Sequence, residues 1–413
     1  MNELDTEQEI LEVKDAYTAL QSLKIVTEYG PLRAYAEPDK VQQIYSEVIN
    51  PALTPVHKSS REINGTYVVE APSPWHAFFY LRAQQHYLYR GGRPLYSEVK
   101  NGDQYLGEHL FFRGQRCASW EIKSSLRRKN QIEQAIEQRA VGALTEYFRS
   151  YFARDDDIAT NTALCFAQHY GIATDLMDIS CDPDMAVWFA THPVEKVCPN
   201  SESVGIVQAV SWAGQAQGTN TICLLPPPFV RNIYTQRGLF IDTSSTDGRL
   251  MSTTSLLVRF PRETSGGEFS VLRQGHSIKV WPELDAVESE LISWARNIGA
   301  NYTDGKDIVK TVQAHQNSDM LPKFWLERDL FDFDRLIVNW LSILDWVLPA
   351  TCVTALPIES DGPTPMRYAV SKLKARFLIC ANPSLFKAFA KAAEDANFTG
   401  FEVLREVLSL ARD

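Results

Sequence analysis

Ala167-Gln168-His169-Tyr170-Gly171-Ile172-Ala173-Thr174-Asp175-Leu176-Met177-Asp178-Ile179-Ser180 changes its hydrophobic period partway along, and that change sets the architecture of the chain. A helical pattern over residues 155–170 stops at Gly171, the residue type that ends helices most readily because it enters the left-handed region without a Cβ clash. From 174 onward the period is two. Thr174, Asp178 and Ser180 share one face with Leu176 between them, while Ile172, Met177 and Ile179 take the other. Next comes a short apolar helix over 184–191, Asp184-Met185-Ala186-Val187-Trp188-Phe189-Ala190, placed to pack the strand. Helix, strand and helix in quick succession predict an α+β fold.

The same reading extends outward. Strands are expected at 66–70, 109–114, 204–211, 234–242, 254–260 and 268–273, and a helix at 130–152. Ser73-Pro74 before Trp75-His76-Ala77-Phe78 is a helix start, with serine as cap and proline in the first turn. Residues 3–27 carry apolar positions at helical spacing, and 28–65 hold prolines and turn residues that read as a connecting region. Beyond Pro282 the pattern is mostly helical, over 283–298, 325–347, 366–378 and 384–410. The expected organisation is an N-terminal helical extension (1–65), a central mixed or antiparallel sheet domain with flanking helices (66–290), and a mostly helical C-terminal region (291–413).

Composition narrows the function. A net charge of −10 over 413 residues argues against a general nucleic-acid binder, whose affinity comes from neutralised phosphates. It leaves room for a local basic cleft from Arg113, Arg116, Lys123, Arg127, Arg128 and Lys129. The seven cysteines form no Cys-x-x-Cys pair, and an odd count is unlike a disulfide framework, so a reducing cytoplasm is expected. The N-terminus lacks an apolar signal core, and the most apolar stretch, Leu336 to Pro349, is too short for a bilayer. Histidines are scattered without metal-ligand spacing, and there is no Walker loop, Gly-x-Ser-x-Gly elbow or Gly-x-Gly-x-x-Gly turn. Metal-dependent hydrolysis is correspondingly weak as a reading.

Two further segments carry chemistry. Phe111-Phe112-Arg113-Gly114-Gln115 puts a fixed cation at the end of an aromatic strand, followed by a residue that lets a ligand approach the backbone. A guanidinium with forked donors suits a phosphate-bearing ligand. Arg231-Asn232-Ile233-Tyr234-Thr235-Gln236-Arg237-Gly238-Leu239-Phe240 repeats the theme of a glycine interrupting a strand, which a bulge also explains. His169 can equally be a helix-end or core histidine, and Asp178 a cap for the helix near 184.

Taken in order, Phe112-Arg113-Gly114-Gln115, then Gln168-His169-Tyr170-Gly171 with Thr174, Leu176, Asp178 and Pro183, then Gln236, Gly238 and Phe240 resemble the FRG domain family over about residues 66–290. Trp75-His76-Ala77-Phe78-Phe79, Trp120 to Arg128 and Trp281-Pro282-Glu283 extend the likeness. Asp175 departs from it where the family generally has Arg, setting an anion beside the candidate site, and Arg237 where it generally has Gln. A more distant resemblance is to mono-ADP-ribosyltransferases, which begin their NAD site with an aromatic-Arg-Gly strand. The FRG resemblance implies an effector or toxin of a phage-defence or toxin–antitoxin module, with an antitoxin as partner; the ADP-ribosyltransferase resemblance implies that it consumes NAD to modify a protein or nucleic acid. It implies catalytic roles for Arg113, His169, Asp178 and Gln236. Arg113, Gly114, Gln115, Thr174 and Ser180 would hold NAD. Gln236 stands where a catalytic Glu is expected, a loss of charge stabilisation on the order of 3 kcal/mol unless Asp242, Glu263 or Glu268 serves instead. The competing expectation is a nucleotide- or phosphate-binding scaffold without turnover.

Overall fold

The computed structural model describes residues 3–22, 26–27, 30–31, 43, 45–63, 66–89, 110–149, 156–180, 182–191, 203–211, 221–223, 238–246, 254–262, 286–316 and 402–412, with isolated positions between the last two ranges. Eight strands form one mixed sheet: β1 (Arg61–Ile63), β2 (Thr66–Glu70), β3 (Leu110–Gln115), β4 (Leu176–Ser180), β5 (Val204–Ser211), β6 (Thr221–Cys223), β7 (Gly238–Asp242) and β8 (Thr254–Pro261). Their order across the sheet is β1-β2-β8-β5-β3-β4-β7-β6. Neighbours run antiparallel except β2 and β8, which are parallel with Val69 opposite Val258.

The helices are α1 (Glu3–Ser22), α2 (Pro74–Tyr89), α3 (Gln131–Arg149), α4 (Asp156–His169), α5 (Pro183–Thr191), α6 (Ala286–Asn301), α7 (Gly305–Gln316) and α8 (Glu402–Arg412). They serve two cores. In the first, Val13, Ala16 and Tyr17 of α1 and Phe78, Phe79 and Tyr80 of α2 join Ala186 and Val187 of α5 over Val69, Phe112, Val207 and Val258 of the sheet. In the second, Leu144 and Phe148 of α3, Phe166 of α4, Leu291 and Ala295 of α6 and Val312 of α7 gather over Leu176 and Phe240. Each core removes large apolar side chains from water, which is what drives the layers together.

The two cores meet at a seam. β3 and β5 pair along six register positions, from Leu110↔Ser211 to Gln115↔Ile206. β3 and β4 share one among the described residues, Phe112↔Ser180, and diverge on the Arg113 side of it.

Local chemistry accounts for the ends of the elements around this seam. Gly171 has φ 88°, as the helix stop requires. The Ile172 N–H then reaches back to Ala167 O at 2.8 Å, the 6→1 bond of a Schellman closure. Ser73 Oγ accepts the His76 N–H at 3.3 Å, so the expected cap of α2 is present. Asp182 caps α5: its Oδ1 accepts the Asp184 N–H at 3.1 Å, with Pro183 in the first helical position. The cap considered at Asp178 is therefore filled by Asp182.

Several expectations need correction. Residues 28–65 are more than a connection, because they hold helical turns at Tyr45–Ile49 and Thr54–Lys58 and the edge strand β1. β1 and β2 pair antiparallel as neighbours. The strand expected from 174 starts at Leu176, because the Thr174 hydroxyl accepts the Leu176 N–H at 3.0 Å and draws the chain into a turn. The described part of the strand expected over 234–242 begins at Gly238. β6 and α7 were not anticipated. The expected strand at 268–273 and most of the helices expected after 325 lie outside the described residues. Cys117 is disulfide-bonded, against the expectation of free thiols; its partner is not among the residues whose side chains are described.

Candidate functional site

Arg113 lies where β3 and β4 part. Its Nη1 donates to the Asp178 carbonyl oxygen at 2.6 Å, bridging the gap. Its Nε is buried and has no partner among the described residues. Burial lowers the Arg113 pKa. The nearby Asp178 offsets this only in part, and Arg128 pushes the same way as burial. A guanidinium keeps its proton regardless, so these influences describe a cation short of negative charge.

Asp178 is exposed by surface area, yet desolvation is the largest influence on its carboxyl and raises its pKa against the pull of Arg113. Its carboxyl is therefore open to solvent on one side and enclosed by protein on the others. Its Oδ2 accepts Gln168 Nε2 at 2.7 Å. Gln168 Oε1 in turn accepts Thr174 Oγ1 at 2.7 Å and Ser125 Oγ at 3.3 Å. The relay fixes the orientation of the Gln168 amide and, through it, the carboxylate. The sequence motif contains Gln168 but gives it no role, and no local signal marks it, because its partners Thr174, Ser125 and Asp178 lie elsewhere in the chain.

The other candidates separate. His169 ends α4, edge-on to Tyr170, with Nε2 buried and unpartnered and a pKa lowered to about 4 by burial, so the ring is neutral at physiological pH. Among the described residues it makes no contact with Arg113 or Asp178. Thr174 and Ser180 are buried with partners inside the chain: Thr174 as above, and Ser180 through Oγ, which accepts the Asp182 N–H at 3.0 Å. Gln115 is buried on β3, and its Oε1 has no partner. Gln236 and Arg237 lie outside the described residues.

Gly114 requires a correction of reason. A Cβ built there would clash with Ala186 O and lie 3.1 Å from Ala190 N. The missing side chain admits helix α5, and no ligand approaches from that side. A Cβ built on Gly205 of β5 would likewise lie 2.8 Å from Ala190 O, so two glycines seat one helix.

Asp175 is likewise no free anion beside the site. Arg127 grips it with Nε on Oδ1 at 2.7 Å and Nη2 on Oδ2 at 2.9 Å, and Ser124 Oγ adds a bond at 3.1 Å. The fork is bidentate and neutralising. The run at 123–129 thereby loses Arg127, and also Lys129, which pairs with Glu137 at 3.3 Å. Arg128 is the member that turns to the site: its Nε contacts Ser124 O at 3.4 Å, and its charge is felt at both Asp178 and Arg113. Two cations thus surround one carboxylate.

A separate cavity of about 180 Å³ is lined by Leu126, Val141, Thr174, Asp175 and Asp242, among others, and does not include Arg113 or Asp178. Among the described residues no group of three or more His, Cys, Asp or Glu could hold a metal, and no helix is long and apolar enough to cross a membrane.

No curated protein and no solved structure matches the chain. A family model does match, over residues 108–197, which takes in β3, the Arg127–Asp175 pair, the Gln168 relay and helix α5. Over those residues, a narrower span than the motifs suggested, the chain carries an FRG domain.

Proposed function

We propose that this protein is an ADP-ribosyltransferase-like enzyme that uses NAD to modify a macromolecule, acting as an effector in phage defence or a toxin–antitoxin module. The observation that carries the reading is the Arg113 guanidinium: one N–H on a backbone carbonyl, Nε buried and unpartnered, and Arg128 close by. A diphosphate supplies the charge this corner lacks, and forked donors meet phosphate oxygens in pairs.

In the reaction, the bond between the nicotinamide nitrogen and ribose C1′ breaks, and its electron pair leaves with nicotinamide. The acceptor's lone pair forms the new bond at C1′, and the acceptor's proton passes to Asp178. A carboxyl whose proton affinity is raised by desolvation, yet which stays open to a cleft, suits that task. Gln168, Thr174 and Ser125 position it. Gln236, standing where the resemblance expects a Glu, would hydrogen-bond a ribose hydroxyl without bringing a charge.

Purified protein incubated with a cell extract and labelled NAD transfers label to a macromolecule, and Arg113→Ala abolishes the transfer. Unchanged transfer in that variant removes Arg113 from the site.

A second reading is a nucleotide- or phosphate-binding domain without turnover. It is favoured by the engagement of Asp178 with Gln168, an arrangement that also suits a purely structural carboxylate. Saturable NAD binding in calorimetry without nicotinamide release selects it.

A further inference from the structure

Gln208 sits in the middle of β5 with no solvent exposure, and neither Nε2 nor Oε1 has a partner. Burying an amide without hydrogen bonds is costly, and native proteins rarely leave both ends of one unmet. That absence of partners holds among the described residues. Gln208 is the register partner of Arg113, so the two side chains leave the same face of the sheet. Gln115, two residues along β3 from Arg113, shares that face and contributes a further unpartnered acceptor, Oε1. Adjacent strands therefore present a row of a guanidinium and two glutamines with a donor (Gln208 Nε2), two acceptors (Gln208 Oε1 and Gln115 Oε1) and Arg113 Nε, all buried and unmet.

Nothing about the fold asks for this. The opposite face of the same strands, at Phe112, Val207, Ala209 and Val258, is wholly apolar. An apolar residue at 208 would fill the space without cost.

We propose that Gln208, with Gln115 beside it, is a recognition subsite for a planar edge bearing a hydrogen-bond donor and acceptor side by side, attached to the anion that Arg113 holds. A primary carboxamide and an adenine edge both have this pattern, because each complements the N–H and C=O of a glutamine amide in a two-bond pair. The inference rests on the reading of Arg113 as a ligand-binding cation for the ligand's placement, and on the Gln208 amide for its chemistry. Gln208 is closed to solvent without ligand, so the ligand enters from the half-buried Arg113 side and displaces the groups over the amide.

The test compares the full chain with Gln208→Met, which keeps side-chain length and removes both hydrogen-bonding atoms. Calorimetry is run with NAD, pyrophosphate, nicotinamide and adenine. The expected result is that Gln208→Met weakens NAD by about tenfold, the loss of a good hydrogen-bonded pair, and leaves pyrophosphate unchanged. Its melting temperature without ligand holds or rises, because an unmet amide has gone. A structural glutamine would lower it. Nicotinamide binding that is lost in the variant assigns the subsite to the carboxamide, and adenine binding that is lost assigns it to the base.

NAD affinity unchanged in Gln208→Met overturns the subsite while leaving the NAD reading intact. Failure of NAD to bind the unaltered chain, with nicotinamide or adenine still binding through Gln208, overturns the NAD reading and keeps the subsite. Absence of binding by all of nicotinamide, adenine and NAD overturns both.

Discussion

Two arginines in this molecule meet aspartates inside the protein, and they meet them differently. Arg82 on α2 reaches the start of α5, where its Nη2 lies 2.9 Å from Asp182 Oδ1 and 2.8 Å from Asp184 Oδ1. All three side chains are almost fully buried. Burial disfavours the Arg82 charge, yet the two carboxylates outweigh it and raise its pKa. For Arg113 the same balance falls the other way, and the pKa is lowered. One cation is over-supplied with negative charge and sealed. The other is under-supplied and opens on a seam in the sheet. A buried ion cluster with its charges matched is architecture, whereas one left short of an anion has room for a ligand.

Replacing each arginine is the sharpest way to break that contrast. Arg82→Leu leaves two carboxylates buried without their cation and is expected to lower stability by about 3–5 kcal/mol in chemical denaturation. Arg113→Ala is expected to change stability by about 1 kcal/mol or less, since it removes one hydrogen bond and relieves a desolvated charge. Equal losses in the two variants would mean that Arg113 is a structural residue like Arg82.

Gly114→Ala probes the wall between the two sites. The added methyl meets a helix carbonyl, and overpacking of this kind costs about 1–3 kcal/mol and displaces α5. A lower melting temperature with reduced NAD binding is expected. Full binding at lowered stability would show that α5 and the Arg113 site are independent.

The smallest effect is on pH dependence. His76, on the same helix as Arg82, and His169, next to Gln168 at the end of α4, each have a pKa lowered from 6.5 to about 4 by burial. The unfolded chain takes up protons near 6.5 and the folded one only near 4, so between those values the unfolded state holds more protons. Stability is therefore complete above pH 6.5 and declines as the pH falls toward 4. Denaturation midpoints measured across that window should show the decline, and His169→Gln should flatten roughly half of it. No change in slope would remove His169 as a buried neutral ring.

What the sequence disclosed follows from how local each feature is. The helix stop at Gly171, the cap at Ser73 and the strand around Arg113 are written in adjacent residues, and all three are present. Features that depend on distant partners were hidden. Asp175 reads as an intruding anion until Arg127, far back in the chain, is seen to grip it. Gly114 reads as a ligand approach because the helix that fills its space lies on the far side of a strand crossing. Gln208 looks like the solvent-facing member of an alternating strand, since nothing in Ile206-Val207-Gln208-Ala209-Val210 tells that both faces are covered. The disulfide at Cys117 has no spacing signature at all.

The seating of α5 has a mechanical consequence. Gly114 and Gly205 let the main chain of the helix come down onto the strands at two points, between the side chains of Phe112 and Val207 that pack the rest of it. Arg113 is the next link of that same strand, and Asp182 at the head of the helix is tied to Arg82. A bulkier residue at either glycine would therefore lift α5 as a unit, and with it the Asp182 end that Arg82 holds.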